Sequence, residues 1–191
     1  MGTQIPRPNS QASPWDYTHC ERTRDCPPRC PRFVDKEGEG MLVRAFEPDD
    51  RADLEAMYDD FRRDDQAQGI PPLSRDRFEE WLEGLLEEGT HIVADRDGEI
   101  VGHGFFTPAS LSEPELAVFI HPEWQNRGIG TEVCRHIIAF ARDADRDGLV
   151  LDVEQRNRAA ISVYRKLGFE RTTEYGRELH MKLALDESVD E

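Results

Sequence analysis

Seven residues, Gln125-Asn126-Arg127-Gly128-Ile129-Gly130-Thr131, combine a strand exit, two closely spaced glycines and the start of an amphipathic helix pattern. Such a loop presents several backbone N–H groups with little side chain in the way. With the positive end of the helix dipole, those groups make a site for an anion, typically a pyrophosphate. Further on, Asn157 and Tyr164 are seven residues apart. On a helix that spacing sets an amide and a phenol on one face, about 10 Å apart along the axis. A long, thin ligand could meet both. Glu115, Asp152 and Glu154 lie on strand-like runs and are candidates to move a proton; their alternative is a solvated carboxylate in an acid-rich chain.

Two nucleotide-binding fingerprints compete for the glycine loop. A dinucleotide-binding turn needs G-x-G-x-x-G directly after a strand, with an acid about twenty residues on. Here Val133 stands where the third glycine belongs, and a connector from His121 to Arg127 intervenes, although Asp152 mimics the ribose-binding acid by distance. A complete P-loop is excluded, because no Gly-Lys-Ser/Thr follows.

The better match is the GCN5-related N-acetyltransferase (GNAT) superfamily, which residues 41–185 resemble. Its pyrophosphate loop reads Q/R-x-x-G-x-G/A, and Gln125-x-x-Gly128-x-Gly130 fits it. Downstream, Asn157-x-x-Ala160-x-x-x-Tyr164-x-x-x-Gly168-Phe169 fits the family's N-x-x-A-x-x-x-Y-x-x-x-G-F element after a strand. The resemblance implies an acyltransferase that moves an acetyl group from acetyl-CoA to a primary amine in a ternary complex. It places coenzyme contacts on Val118, Phe119 and Ile120, whose backbone would pair with pantetheine amides like an added strand. Further contacts fall on Gln125, Asn126, Arg127, Gly128, Ile129, Gly130 and Thr131, and on Asn157, Ala160 and Tyr164. Arg127 is expected to touch a phosphate, since a chain of net charge −16 needs a local positive site for coenzyme A.

For the chemistry, the resemblance implies Tyr164 as the general acid beside the thioester sulfur. Asp152 falls where ribosomal-protein N-terminal acetyltransferases carry a basic glutamate; Glu115 is the rival and Glu154 a third. A neutral amine must attack, and an amine of pKa near 8 to 10.4 needs a base to take its proton. Backbone N–H groups at a splay between the fourth and fifth strands would polarise the acetyl carbonyl.

The elements that must position these groups are legible in the apolar spacing. Met41 to Phe46 suits a strand. Asp50 to Asp64 and Ser74 to Glu88 carry helix-spaced apolar residues. His91 to Ala94 and Glu99 to Phe106 read as a hairpin about Asp97-Gly98. Glu115 to Ile120 and Leu149 to Val153 read as strands, Ile129 onward and Asn157 onward as helices, and Phe169 to Thr172 and Glu178 to Leu185 as the last strands. Ile129, Val133, Ile137 and Ala141 line one helix face. The expected fold class is α/β: a mixed, mostly antiparallel sheet of about seven strands with about four helices on both faces. Residues 1–40, with six prolines, read as an extension that Trp15, Tyr17 and Phe33 could pin to the domain; 186–191 is an acidic tail.

Acidic residues number 40 against 24 basic, of which only Lys36, Lys166 and Lys182 are lysines. Such a surface suits molar salt, where the Debye length is about 3 Å. The reading is a halophilic, cytoplasmic protein, monomeric or homodimeric. No basic stripe points to nucleic acid, and no run reaches the roughly 18 to 20 apolar residues of a membrane span. His19, Cys20, Cys26 and Cys30 could close a zinc site; the alternative is an arm with free thiols. Cys134 reads as a small core residue. The resemblance implies an amine acceptor, a protein or peptide amine or a small molecule, on a side of the site shaped by Arg63 to Leu73 and Thr173 to Arg177. A non-catalytic acyl-CoA sensor is the alternative function.

Overall fold

The computed structural model describes residues 27–61 and 71–185. Within them the chain runs β1 (Arg32–Val34), β2 (Gly40–Ala45), α1 (Arg51–Asp59), α2 (Arg75–Glu88), β3 (Thr90–Arg96), β4 (Glu99–Thr107), β5 (Glu115–Ile120), α3 (Ile129–Asp143), β6 (Gly148–Glu154), α4 (Arg158–Lys166), β7 (Glu170–Tyr175) and β8 (Glu178–Ala184). The strands form one sheet in the order β1-β2-β3-β4-β5-β6-β8-β7. All neighbours are antiparallel except β5 and β6, which are parallel and share a single registered pair, Glu115 with Val150. Beyond that pair the two strands part, so the sheet is splayed between them, as the resemblance implies.

Each face of the sheet carries its own core. On β5, Leu116, Val118 and Ile120 pack into the cluster that holds α3, while Ala117 and Phe119 pack with Leu54, Tyr58 and Phe78 of α1 and α2. That split follows from the period of two along a strand. On β6, Leu149, Leu151 and Val153 join the α3 side, which turns Asp152 to the opposite face. The α3 stripe of Ile129, Val133, Ile137 and Ala141 is fully buried. Burying each of the larger three contributes about 1.5–3 kcal/mol. The stripe can sit this close because β4 has Gly104 beneath it. A Cβ at that position would lie 2.5 Å from Val133 Cγ1 and 2.7 Å from Ile137 Cδ1. The Asp97-Gly98 hairpin forms as expected, with positive φ at both residues (53° and 96°), the geometry of a type I′ turn.

One expectation is corrected. Residues 1–40 do not all stand outside the sheet: Arg32–Val34 pairs with Leu42–Gly40 as an eighth, edge strand. Three residues are too few to show a period, and the flanking prolines mask them. Phe33 packs against the α3-side core.

Candidate active site

The glycine loop leads from the β5 exit into α3. Gly128 occupies the N-cap position at φ 95°, and Asn126 also takes a positive φ of 63°. At Gly128 the left-handed backbone, not space, demands glycine: a Cβ there would make only ordinary contacts, at 3.6 Å from Lys36 and 3.7 Å from Phe33. Among the described residues, none of the backbone N–H groups from Arg127 to Thr131 donates to another group of the chain. Five donors are therefore left unpaired at the positive end of a 15-residue helix, an arrangement that suits an anion. The Gln125 amide donates instead to the Ile120 carbonyl at 3.2 Å, tying the loop to the end of β5.

The structure gives Arg127 a different task from the expected phosphate contact. Its Nε donates to Asp35 at 2.5 Å, its two terminal nitrogens lie 3.3 Å from Glu37 and 3.8 Å from Glu39, and its guanidinium stacks 4.2 Å above the Trp124 ring. Asp35 is wholly enclosed and Arg127 nearly so, at 0% and 12% side-chain exposure. The carboxyl of Asp35 is held below its ordinary value: burial opposes ionisation, but the Arg127 hydrogen bond and the N–H groups of Glu39 and Glu37 outweigh it. The Arg127 side chain is thus engaged by the β1–β2 turn, while its backbone N–H stays unpaired.

On α4, the Asn157 Oδ1 accepts the N–H of Ala160 at 3.1 Å, a helix N-cap. Because the oxygen is thus fixed on the helix, the amide nitrogen is left to donate outward. Capping and ligand binding are therefore compatible here. At the other end, Phe169 N–H donates to Tyr164 O at 3.0 Å and Gly168 N–H to Arg165 O at 3.1 Å, with Gly168 at φ 95°. These are the two bonds of a Schellman motif, and its apolar contact is the Tyr164–Phe169 ring pair, with centroids 5.7 Å apart. The Gly-Phe pair thus anchors the turn carrying Tyr164. Burial pushes the Tyr164 phenol well above its ordinary value, helped by the neighbouring Cys134 thiol. The phenol stays protonated and can donate. Cys134 is itself buried, its thiol pushed up to about 12 by burial.

Glu115 on β5 is registered with Val150, two positions before Asp152 on β6, at the closed end of the splay. Asp152 and His180 are register partners, with Nδ1 of the imidazole 2.9 Å from Oδ1 of the carboxylate. Burial and the Asp152 charge raise the Glu115 carboxyl above its ordinary value, while His180 pulls it down. Glu154, by contrast, is engaged by Arg156. His180 escapes a reading of the sequence because only the antiparallel register of β6 and β8 sets it beside Asp152.

A family model described as Acetyltransferase (GNAT) family matches residues 54–169, which span the glycine loop, the splay and α4. The chain belongs to the acetyltransferase (GNAT) family. It is an N-acetyltransferase-type acyltransferase by its relatives as well. The L-amino acid N-acyltransferase MnaT of Escherichia coli is 28% identical over 126 residues, 58% of this chain and 73% of MnaT. The N-alpha-acetyltransferase RimI of Mycobacterium tuberculosis is 36% identical over 93 residues, 46% of this chain and 56% of RimI. In fold, the chain is similar to yncA from Salmonella typhimurium, whose structure holds its cofactor acetyl-CoA: the TM-score is 0.63 at 23% identity, over 78% of this chain and 96% of that one.

Two described residues of this GNAT chain ahead of the matched region, Arg29 and Asp35, reach α3 and the glycine loop. Arg29 Nε donates to Glu132 at 2.7 Å, and the β1–β2 turn holds Arg127. Of the four residues considered for zinc, His19, Cys20 and Cys26 lie outside the described residues, and Cys30 is an exposed free thiol. No group of three or more His, Cys, Asp or Glu able to hold a metal occurs among the described residues. No described helix is long and apolar enough to cross a membrane. Residues 62–70, most of the segment expected to shape the acceptor side, lie outside the described residues, as does the 186–191 tail.

Proposed function

We propose that this GNAT enzyme transfers the acetyl group of acetyl-CoA to a primary amine, and that the acceptor is an α-amine of an amino acid or peptide. The observation that carries the donor is the splay itself: β5 and β6 share one registered pair, and the gap beyond it runs between five unpaired N–H groups and the helix that bears Asn157 and Tyr164. The residues fit the coenzyme along its whole length. The loop N–H groups suit the pyrophosphate, the free edge of Val118 to Ile120 and the outward Asn157 amide suit the pantetheine arm, and Tyr164 suits the sulfur.

Acetyl-CoA supplies an activated acyl carbon in a thioester. The chain's residues handle the two protons. The amine nitrogen bonds to the acyl carbon while the carbon–sulfur bond breaks; the amine proton passes to a carboxylate, and the Tyr164 proton passes to the departing thiolate. Glu115 is the acceptor of the first proton. It stands at the closed end of the splay with a raised pKa, a better match to an amine than an ordinary carboxylate. Asp152 already accepts a hydrogen bond from His180 and serves to tune it. The α-amine reading is supported by two relatives, MnaT, an L-amino acid N-acyltransferase, and RimI, an N-alpha-acetyltransferase. An α-amine near pKa 8 also needs less help than a lysine near 10.4.

The test measures CoA thiol release with amino acids, peptide N-termini, polyamines and lysine side-chain analogues, in molar KCl and in dilute buffer. Acetylation of α-amines above the others is expected, and Tyr164→Phe lowers kcat about tenfold or more with coenzyme affinity kept. Turnover confined to ε-amines or polyamines overturns the acceptor class. Acetyl-CoA binding without turnover on any amine makes the chain a sensor.

A further inference from the structure

We propose that Lys36, presented by the β1–β2 turn, is a pyrophosphate-binding residue of the coenzyme site. The proposal rests on the acetyl-CoA reading, and it assigns the cation that Arg127 does not supply. The turn lies ahead of the region matched by the family model, so nothing in the family's motif carries it.

The placement is built by the chain rather than left to a flexible side chain. Asp35 accepts the N–H groups of Glu37 and Glu39 at 2.9 and 3.0 Å, which shapes the turn, and the same carboxylate holds Arg127. Lys36 N–H then donates to the Arg127 carbonyl at 3.0 Å, so the hairpin and the glycine loop are joined backbone to backbone. From there the lysine stem lies along the loop, with Cε 3.6 Å and Cγ 3.8 Å from the position a Cβ on Gly128 would occupy. Its ammonium donates to the Asn126 carbonyl at 3.1 Å.

Charge separates Lys36 from its neighbours. Arg127 is surrounded by Asp35, Glu37 and Glu39. Among the described residues, Lys36 has no carboxylate partner within ion-pair distance, only a carbonyl. An ammonium has three donors; one is used on Asn126 and two remain at the mouth of the N–H cradle. The acid nearest in sequence to that cradle, Glu132 in the first turn of α3, is already offset by Arg29 at 2.7 Å and Arg135 at 3.2 Å. A diphosphate arriving at the loop thus meets the helix N-terminus, a neutralised Glu132 and the Lys36 ammonium.

The experiment is calorimetric titration of the full-length chain with CoA, dephospho-CoA and pantetheine. Lys36→Gln is expected to raise the Kd of CoA and of dephospho-CoA by the same factor, about tenfold or more, as for a lost charge-assisted hydrogen bond. Pantetheine, which lacks the pyrophosphate, should bind both proteins alike, and Lys36→Arg should recover most of the loss. Thermal melting of unliganded Lys36→Gln should match the parent, since the side chain is exposed. An unchanged Kd for CoA overturns the proposal while leaving the coenzyme reading intact. A loss seen with CoA but not dephospho-CoA overturns it too, by moving the contact to the 3′-phosphate. A parent chain that binds no CoA at all overturns both readings.

Discussion

The imidazole of His180 and the carboxylate of Asp152 face each other across β6 and β8, with Nδ1 2.9 Å from Oδ1, and the pair acts on a third group, Glu115. The Asp152 charge raises the Glu115 carboxyl and His180 lowers it. If Glu115 takes the amine proton, the acid limb of kcat/KM against pH reports its ionisation. Asp152→Asn removes the raising charge, so that limb shifts to lower pH. His180→Asn removes the lowering influence, so it shifts to higher pH. The two displacements are therefore opposite in sign. Opposite displacements identify Glu115 as the base; a limb that disappears in Asp152→Asn would instead give that role to Asp152.

Arg127 and Asp35 make the second prediction. Their ion pair is enclosed, so Arg127→Met leaves a carboxylate in a poorly hydrated place and should lower unfolding stability by on the order of 2 kcal/mol. Combining it with Asp35→Asn should recover part of that loss, because the stranded charge is then gone. Urea unfolding of the two single variants and the double variant measures the coupling. Additive losses would mean that the two side chains contribute independently and that the hairpin is held by its other contacts.

The same pair shows why part of the site was legible in the sequence and part was not. Gln125 to Gly130 and Asn157 to Phe169 encode local events: a left-handed glycine at a helix start, an Asn cap, and a Schellman turn that fixes Tyr164. Each is written in consecutive residues, so spacing alone reveals it. The helix face of Ile129, Val133, Ile137 and Ala141 is likewise a local period. Asp35 and Arg127 are 92 positions apart, and His180 reaches Asp152 only through strand register. Such meetings depend on how the sheet is ordered, which no short window contains. The type of Arg127 and its loop suggest a phosphate contact, and nothing nearby in sequence points to Asp35. The carboxylate that claims it sits in a turn after a three-residue strand, which leaves almost no periodic trace.

A buried chain of polar groups on the α1–α2 side gives the last prediction. His91 Nε2 lies 2.7 Å from the Leu85 carbonyl, so that nitrogen is the donor and Nδ1 must accept. His103 Nε2 then donates to it at 3.0 Å, and Tyr58 O–H donates to His103 Nδ1 at 2.7 Å. The chain is satisfied only while both imidazoles are neutral. Burial lowers the pKa of His91; it lowers His103 well below the ordinary value, with the neighbouring His91 adding to the effect, and burial also lowers His136 on α3. A folded pKa below the unfolded value of about 6.5 means that the unfolded chain binds more protons as pH falls past that point. Stability is therefore full above about pH 6.5 and is lost below it, at up to about 1.4 kcal/mol per pH unit for each histidine until its folded pKa is reached. Asp35 and Glu132, both held low in the folded chain, add a second loss of the same sign in the carboxylate range, nearer pH 4. Urea midpoints between pH 8 and pH 5 should fall steadily, and His103→Gln should flatten that slope while lowering stability at pH 8, since glutamine cannot restore both hydrogen bonds. A midpoint that holds constant from pH 8 to pH 5 would mean that the histidines titrate alike in the folded and unfolded chain, and the neutral Tyr58–His103–His91 network would have to be abandoned.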